Sequence, residues 1–150
     1  PQLAVDLARR MAVGCDPAHL TLIGSSLGGY YATYLAEELG GRAVLLNPAM
    51  RAFEKLCSHL GPQSAYHGGG GDFELTAMHL DELRDLHVPI ITRPERYFLL
   101  AATGDELLDW HEMVAAFPGA RQRVIHGSDH GMSDFAEFAA EVLAFALEEP

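Results

Sequence analysis

Leu20-Thr-Leu-Ile-Gly-Ser-Ser-Leu-Gly-Gly-Tyr-Tyr-Ala-Thr-Tyr-Leu35 is the stretch on which the fold turns. Residues 20–24 make a short apolar run, the pattern of a strand covered on both faces. Leu27, Tyr30, Tyr31, Tyr34, Leu35 and Leu39 then recur at helical spacing, and Gly40-Gly41 closes the run as a glycine C-cap does. Between strand and helix stands Gly24-Ser25-Ser26-Leu27-Gly28, a G-x-S-x-G pattern in the strand–turn–helix context of a nucleophile elbow. So sharp a turn requires small residues two before and two after the serine, and Gly24 and Gly28 meet that requirement around Ser26. Centred on Ser25, the flanks would be Ile23 and Leu27, which cannot make the turn. Ser26 is therefore the candidate nucleophile. The helix dipole and the free N–H groups behind it favour a developing oxyanion, and the Leu27 N–H is the candidate donor. A phosphate loop would need Lys-Ser or Lys-Thr after its last glycine, where Tyr30-Tyr31 stands, and no G-x-G-x-x-G occurs.

Outward from this stretch, strands and helices alternate. Leu3, Ala4, Leu7, Ala8 and Met11 predict a first helix that stops at Gly14. Residues 43–46 read as a second buried strand closed by Asn47-Pro48, residues 97–101 as a third and residues 123–125 as a fourth. Helical spacing returns at Leu107, Trp110, His111 and Val114. The last helix runs through Phe135, Phe138, Val142, Leu143 and Ala146, with Asp134 and Glu137 at capping-box spacing. Residues 49–95 form an insert with helix-like segments around 50–60 and 73–87 and a hinge or loop at Gly68–Gly71. The order α-β-α-β-(insert)-β-α-β-α predicts an α/β domain whose parallel sheet carries helices on both faces. The insert reads as a helical cap over the face where Ser26 sits, shaping an acyl or alcohol pocket.

A serine nucleophile needs a base, and the base needs an orienting acid. In a parallel sheet the loops after the strands gather at one edge. Asp105, in Thr103-Gly-Asp-Glu106, follows the third strand, and His130, in Gly127-Ser-Asp-His-Gly131, follows the fourth. The chain order Ser, Asp, His is the one this strand–turn–helix arrangement uses. Glu106 and Asp109 are the rival acids, Asp109 lying inside the following helix. His126 is the rival base, but it adjoins its strand and lacks the glycine-flanked loop. His126 and His130 have H-x-x-x-H spacing, yet Gly127 and Ser128 break any helix that could aim both rings at zinc, so no metal is expected. His19, His59, His67, His79, His87 and His111 read as surface or cap residues, Cys15 and Cys57 as packed thiols, and Tyr30, Tyr31 and Tyr34 as packing on the elbow helix.

With 150 residues the chain has one domain's length, and 49% hydrophobic against 21% charged residues is globular composition. Ten Lys and Arg against 21 Asp and Glu give a net charge of −11. That balance argues against a phosphate-tracking surface and against docking on anionic lipid. It also disfavours anionic substrates, unless a local arginine such as Arg51 or Arg93 overrides the field. No apolar stretch is long enough to cross a membrane. Two cysteines outside any CxxC suit a reducing compartment, so a cytoplasmic location is expected.

Gly24-Ser-Ser-Leu-Gly-Gly-Tyr-Tyr-Ala-Thr33, Asn47-Pro-Ala49, Glu74-Leu-Thr76, His79-Leu80, Pro94-Glu-Arg-Tyr97, Thr103-Gly-Asp-Glu-Leu-Leu-Asp109 and Gly127-Ser-Asp-His130 together resemble the YqiA-like esterases, small bacterial α/β-hydrolases. The resemblance runs from about residue 20 to residue 146. It implies the α/β-hydrolase fold, an esterase or thioesterase acting on a small-molecule acyl substrate, Ser26, Asp105 and His130 as triad, and no metal or organic cofactor. Members of that family open with a strand ending in His-Gly-Phe, whose loop resembles the source of a second oxyanion donor. Nothing here corresponds, so the chain reads as N-terminally truncated, with a first strand missing. Weak activity and association through an exposed sheet edge, a homo-oligomer, are the expected consequences. Met132 replaces the family's usual Phe and touches packing only. The alternative is a catalytically inactive fragment or a binding module with a hydrolase-like fold, and acyl transfer differs from hydrolysis only by the acceptor that enters the pocket.

Overall fold

The computed structural model describes residues 1–63 and 72–148. The elements are α1 (Gln2–Met11), β1 (Thr21–Ser25), α2 (Leu27–Leu39), β2 (Arg42–Leu46), α3 (Ala52–Leu56), β3 (Gly61–Gln63), β4 (Phe73–Leu75), α4 (Ala77–Asp85), β5 (Tyr97–Ala102), α5 (Trp110–Ala116), β6 (Arg121–Ile125) and α6 (Ala139–Ala146). Strands β1, β2, β5 and β6 form one sheet in that order, every neighbouring pair parallel. The two central strands are unbroken apolar runs at 43–46 and 97–102, because both their faces are covered. On one face Ala43, Leu45, Leu99 and Ala101 pack with Ala32 and Ala36 of α2 and with Met113 and Phe117. On the other, Val44, Phe98, Leu100 and Ala102 pack with Val142 and Phe145 of α6 and with Met132, which is buried in this layer.

A third apolar cluster joins Val5 of α1, Tyr30 and Leu35 of α2, Ala52, and Leu80, Leu83 and Leu86. It ties the insert's helices to the elbow helix. The Tyr30 hydroxyl fastens the joint by donating to the Leu83 carbonyl at 2.5 Å. Among the described residues no helix is long and apolar enough to cross a membrane.

Several expectations need correction. The segment expected as one helix over 73–87 is a strand followed by a helix. Phe73–Leu75 pairs antiparallel with Gly61–Gln63, and α4 begins only after Thr76. The reason is local: Thr76 and His79 cap each other reciprocally, which fixes the helix start there. The helix expected over 50–60 is α3 followed by a 3₁₀ turn over Cys57–His59. The expected cap at Asp134 does not form, because the Ser128 hydroxyl takes its carboxylate, and the chain makes a 3₁₀ turn before α6. Asp109 is the N-cap of α5 rather than an interior residue, accepting the His111 N–H at 2.9 Å. Both cysteines are exposed rather than packed; Cys15 lies in the turn after α1, and the Cys57 thiol donates to the Glu54 carbonyl. His87 is half-buried and stacks on Tyr30 instead of lying on the surface. The Gly68–Gly71 hinge and His67 lie outside the described residues.

Candidate active site

The parallel sheet sends every strand's carboxyl end to one edge, and the loops after β1, β5 and β6 carry Ser26, Asp105 and His130. Ser26 sits at φ 53°, ψ −121°, a conformation an L-residue holds only when its surroundings impose it. Two backbone hydrogen bonds impose it. The Ser26 N–H donates to the Leu46 carbonyl at 2.9 Å, and the Ala49 N–H donates to the Ser26 carbonyl at 3.0 Å.

The glycine requirement is distributed differently from the sequence expectation. A Cβ on Gly24 would overlap the Gly28 carbonyl oxygen, so Gly24 is obligatory. Gly28 itself has open space around a Cβ, and the second tight position is Gly29, where a Cβ would lie 2.8 Å from Pro48 Cβ. The helix crosses the β2 loop one residue later than the motif implies.

The structure brings the three candidate residues into one chain of contacts. His130 Nε2 lies 2.9 Å from Ser26 Oγ, and His130 Nδ1 lies 2.9 Å from Asp105 Oδ2. The Asp105 side chain is fully buried and that of His130 is 17% exposed. The other Asp105 oxygen accepts the N–H groups of Leu107 and Leu108, both at 2.8 Å, so the carboxylate is held by its own loop. Leu27 opens α2, where helix geometry leaves the first N–H groups without intrahelical acceptors. Ser26, Leu27, Gly28, Leu107 and His130 line a cleft of about 610 Å³.

The rivals fall elsewhere. Glu106 accepts the backbone N–H of His130 at 3.0 Å and does not meet the ring. Asp109 holds the start of α5, and His126 is exposed at the end of β6. Ser25 is exposed on the strand side of the turn. Arg51 pairs with Glu54 at 3.5 Å, and Arg93 lies at the amino-terminal side of β5, so neither lines the cleft. No group of three or more His, Cys, Asp or Glu among the described residues could hold a metal ion.

Sequence reasoning passed over Asn47, read only as the end of a strand. It is fully buried at φ 41°. Its Nδ2 donates to the Asp129 and His130 carbonyls, both at 3.0 Å, and its Oδ1 accepts the Ala102 N–H at 2.8 Å. An Asn-Pro pair directly after a buried strand was the available signal.

Solved structures share this fold. A putative hydrolase from Agrobacterium vitis S4 superimposes at TM-score 0.70 and 18% identity, over 95% of this chain and 67% of its own. The esterase domain of a Rhodothermus marinus protein does so at 0.64 and 24%, over 96% and 67%. Alpha/beta hydrolase domain-containing protein 10 from mouse does so at 0.65 and 16%, over 93% and 65%. The chain spans about two thirds of the length of these proteins. At such identities the likeness establishes the α/β-hydrolase fold. The sequence itself matches a family over residues 1–147, and the chain belongs to the uncharacterised protein family UPF0227, the YqiA family whose motifs it carries.

Proposed function

We propose that this protein is a serine hydrolase of neutral acyl esters or thioesters, working through an acyl-enzyme on Ser26. One observation carries the reading: a nucleophile, a base and a buried acid from three separate strand ends meet at 2.9 Å and 2.9 Å. Ser26 Oγ attacks the acyl carbonyl while its proton passes to His130 Nε2. Asp105, accepting from Nδ1–H, holds the ring's tautomer and orientation. The Leu27 N–H donates to the developing oxyanion. His130 returns the proton to the leaving oxygen or sulfur, then activates the water that frees Ser26. The names of the fold neighbours, among them a putative hydrolase, an esterase domain and lipolytic enzymes, agree with this chemistry.

The insert supports an acyl-binding role. Leu27 lines the Ser26 cleft and also a neighbouring cavity of about 330 Å³, walled by Tyr31, Leu56, Phe73, Leu75 and Leu83. Most of its described lining is apolar, beside Pro1, Gln63 and His79, and most of it comes from the insert, so the insert takes the hydrocarbon part of the substrate. Among the described residues no arginine lines the cleft, and this and the net charge of −11 favour an uncharged acyl group. No cofactor enters the scheme. The exposed, free cysteines suit a reducing, cytoplasmic setting.

Strand β1 pairs only with β2 among the described strands, and Ile23 on it is 51% exposed. We assign to this edge a homo-oligomeric contact. Light scattering tests it: a monomer across the micromolar range overturns the contact without touching the chemistry.

The test of the hydrolase reading is a fluorophosphonate probe with intact-mass readout, with Ser26→Ala alongside. A single adduct that disappears in the variant, together with hydrolysis of an ester or thioester panel, is expected. No adduct on the folded chain sinks the reading and leaves a binding module of hydrolase shape.

A further inference from the structure

We propose that Asn47 is a positioning residue for His130, acting through the backbone of the loop that carries it; the inference rests on the hydrolase reading above. Asn47 closes β2, the strand between the nucleophile strand β1 and the acid strand β5. The turn it opens touches all three loops. Leu46 and Ala49 hold the Ser26 backbone, Asn47 Oδ1 holds Ala102 at the end of the acid strand, and Asn47 Nδ2 holds the carbonyls of Asp129 and His130.

The chemistry of the amide fits this task. A carboxamide has two donors on one atom and an acceptor on the other. Here both donors meet carbonyl oxygens and the acceptor meets an N–H, so only one orientation of the amide satisfies all three partners. A residue needed solely for its φ of 41° would be served by glycine. The side chain is therefore present for the bonds. Two of them end on the peptide groups that flank the His130 Cα, within a loop bent by Gly127 at φ 80° and Met132 at φ 49°. Without the amide, two carbonyls lose their donors, and the loop relaxes toward water or another partner. The ring then moves relative to Ser26 and Asp105. Because an ångström of misplacement costs about 100-fold in rate, the effect falls on kcat and not on substrate binding.

Two variants isolate this role. Asn47→Gly accepts the positive φ and removes the amide. Asn47→Asp keeps the acceptor for Ala102 but turns oxygen toward both carbonyls. Each is compared with the wild-type chain, after circular dichroism establishes the folded fraction. Expected are a kcat lower by about 100-fold in both variants, with KM within about twofold. Proton NMR supplies a readout independent of turnover: the downfield resonance of the Nδ1–H shared by His130 and Asp105 should shift or vanish in both. A folded Asn47→Gly with kcat within threefold of wild type and an unmoved resonance overturns the proposal. Failure of both variants to fold also overturns it, because it makes Asn47 a stability residue. A wild type with no turnover but a resonance that Asn47→Gly displaces overturns the hydrolase reading and keeps the positioning role.

Discussion

His130 Nε2 stands 2.9 Å from Ser26 Oγ although 104 residues separate them in the chain. No local interaction makes this contact; it exists because β1 and β6 point the same way at opposite sides of one four-stranded sheet. Replacing Ser26 or His130 by Ala is expected to lower kcat by 10⁴-fold or more, on the order seen when a member of such a triad is lost, with the fold intact. Steady-state kinetics on a chromogenic ester, beside the circular dichroism spectrum, checks this. A residual rate within tenfold of wild type removes either residue from the chemistry.

The acid is distinguished by the atom it reaches. Asp105 meets the imidazole and Glu106 meets only the His130 backbone N–H. Asp105→Asn should cost about 10⁴-fold in kcat, through loss of the correct tautomer. Glu106→Gln keeps an acceptor for the same N–H and should cost less than about tenfold, as expected for one weakened hydrogen bond. The opposite ranking would reassign the acid.

The elbow glycines separate as sharply. Gly24→Ala drives a methyl into the Gly28 carbonyl and Gly29→Ala drives one onto Pro48, while Gly28→Ala meets nothing within 4 Å. The first two should unfold at clearly lower temperature and lose activity. Gly28→Ala should fold with wild-type stability and change activity only through the narrower cleft it lines. Thermal melts of the three variants decide; equal destabilisation by Gly28→Ala and Gly24→Ala contradicts the geometry.

What was legible in the sequence follows from which forces are local. The strand cores at 43–46 and 97–101 and the elbow helix are written as unbroken or periodic apolar residues, and they occur where the pattern places them. The three strand-end residues were legible because a parallel sheet converts chain order into proximity. The hairpin of β3 and β4 was not, because three-residue strands carry too little periodicity to oppose a helical pattern running past them. Asn47 was missed for another reason. Its partners, at Ala102, Asp129 and His130, are main-chain atoms, and backbone hydrogen bonds across loops leave no side-chain signature in the partner sequence.

Acid should weaken the fold at Glu37. Its carboxylate accepts the Thr92 hydroxyl at 2.6 Å and the Tyr97 hydroxyl at 2.5 Å, with Arg96 3.4 Å away. Burial pushes its pKa up, but these hydrogen bonds and the guanidinium outweigh that and hold it below the usual carboxylate value. With the folded pKa the lower one, the unfolded chain protonates first as pH falls. The contribution is full above the unfolded pKa and is lost as pH drops through the folded one. Glu37→Gln should lower Tm by about 3–10 °C near neutral pH, from the loss of charge-assisted bonds. The gap to wild type should narrow as pH falls below the ordinary carboxylate range. A gap that stays constant with pH would show that the carboxylate's charge is not what stabilises this corner.

The cavity beyond Leu27 makes a prediction about chain length. If the acyl group lies across Leu27 against Phe73, Leu75 and Leu83, each added methylene leaves water for an apolar wall. At about 0.8 kcal/mol per methylene, kcat/KM should rise about fourfold per carbon until the cavity is full, then level off or fall. Phe73 offers a clean probe, because it is 52% exposed and the fold does not depend on burying it. Phe73→Asp puts a charge in the wall, so the gradient with chain length should flatten while the rate on an acetyl ester stays near wild type. A gradient unchanged by this variant would place the acyl chain elsewhere in the 610 Å³ cleft over Ser26 and leave the insert without a part in substrate choice.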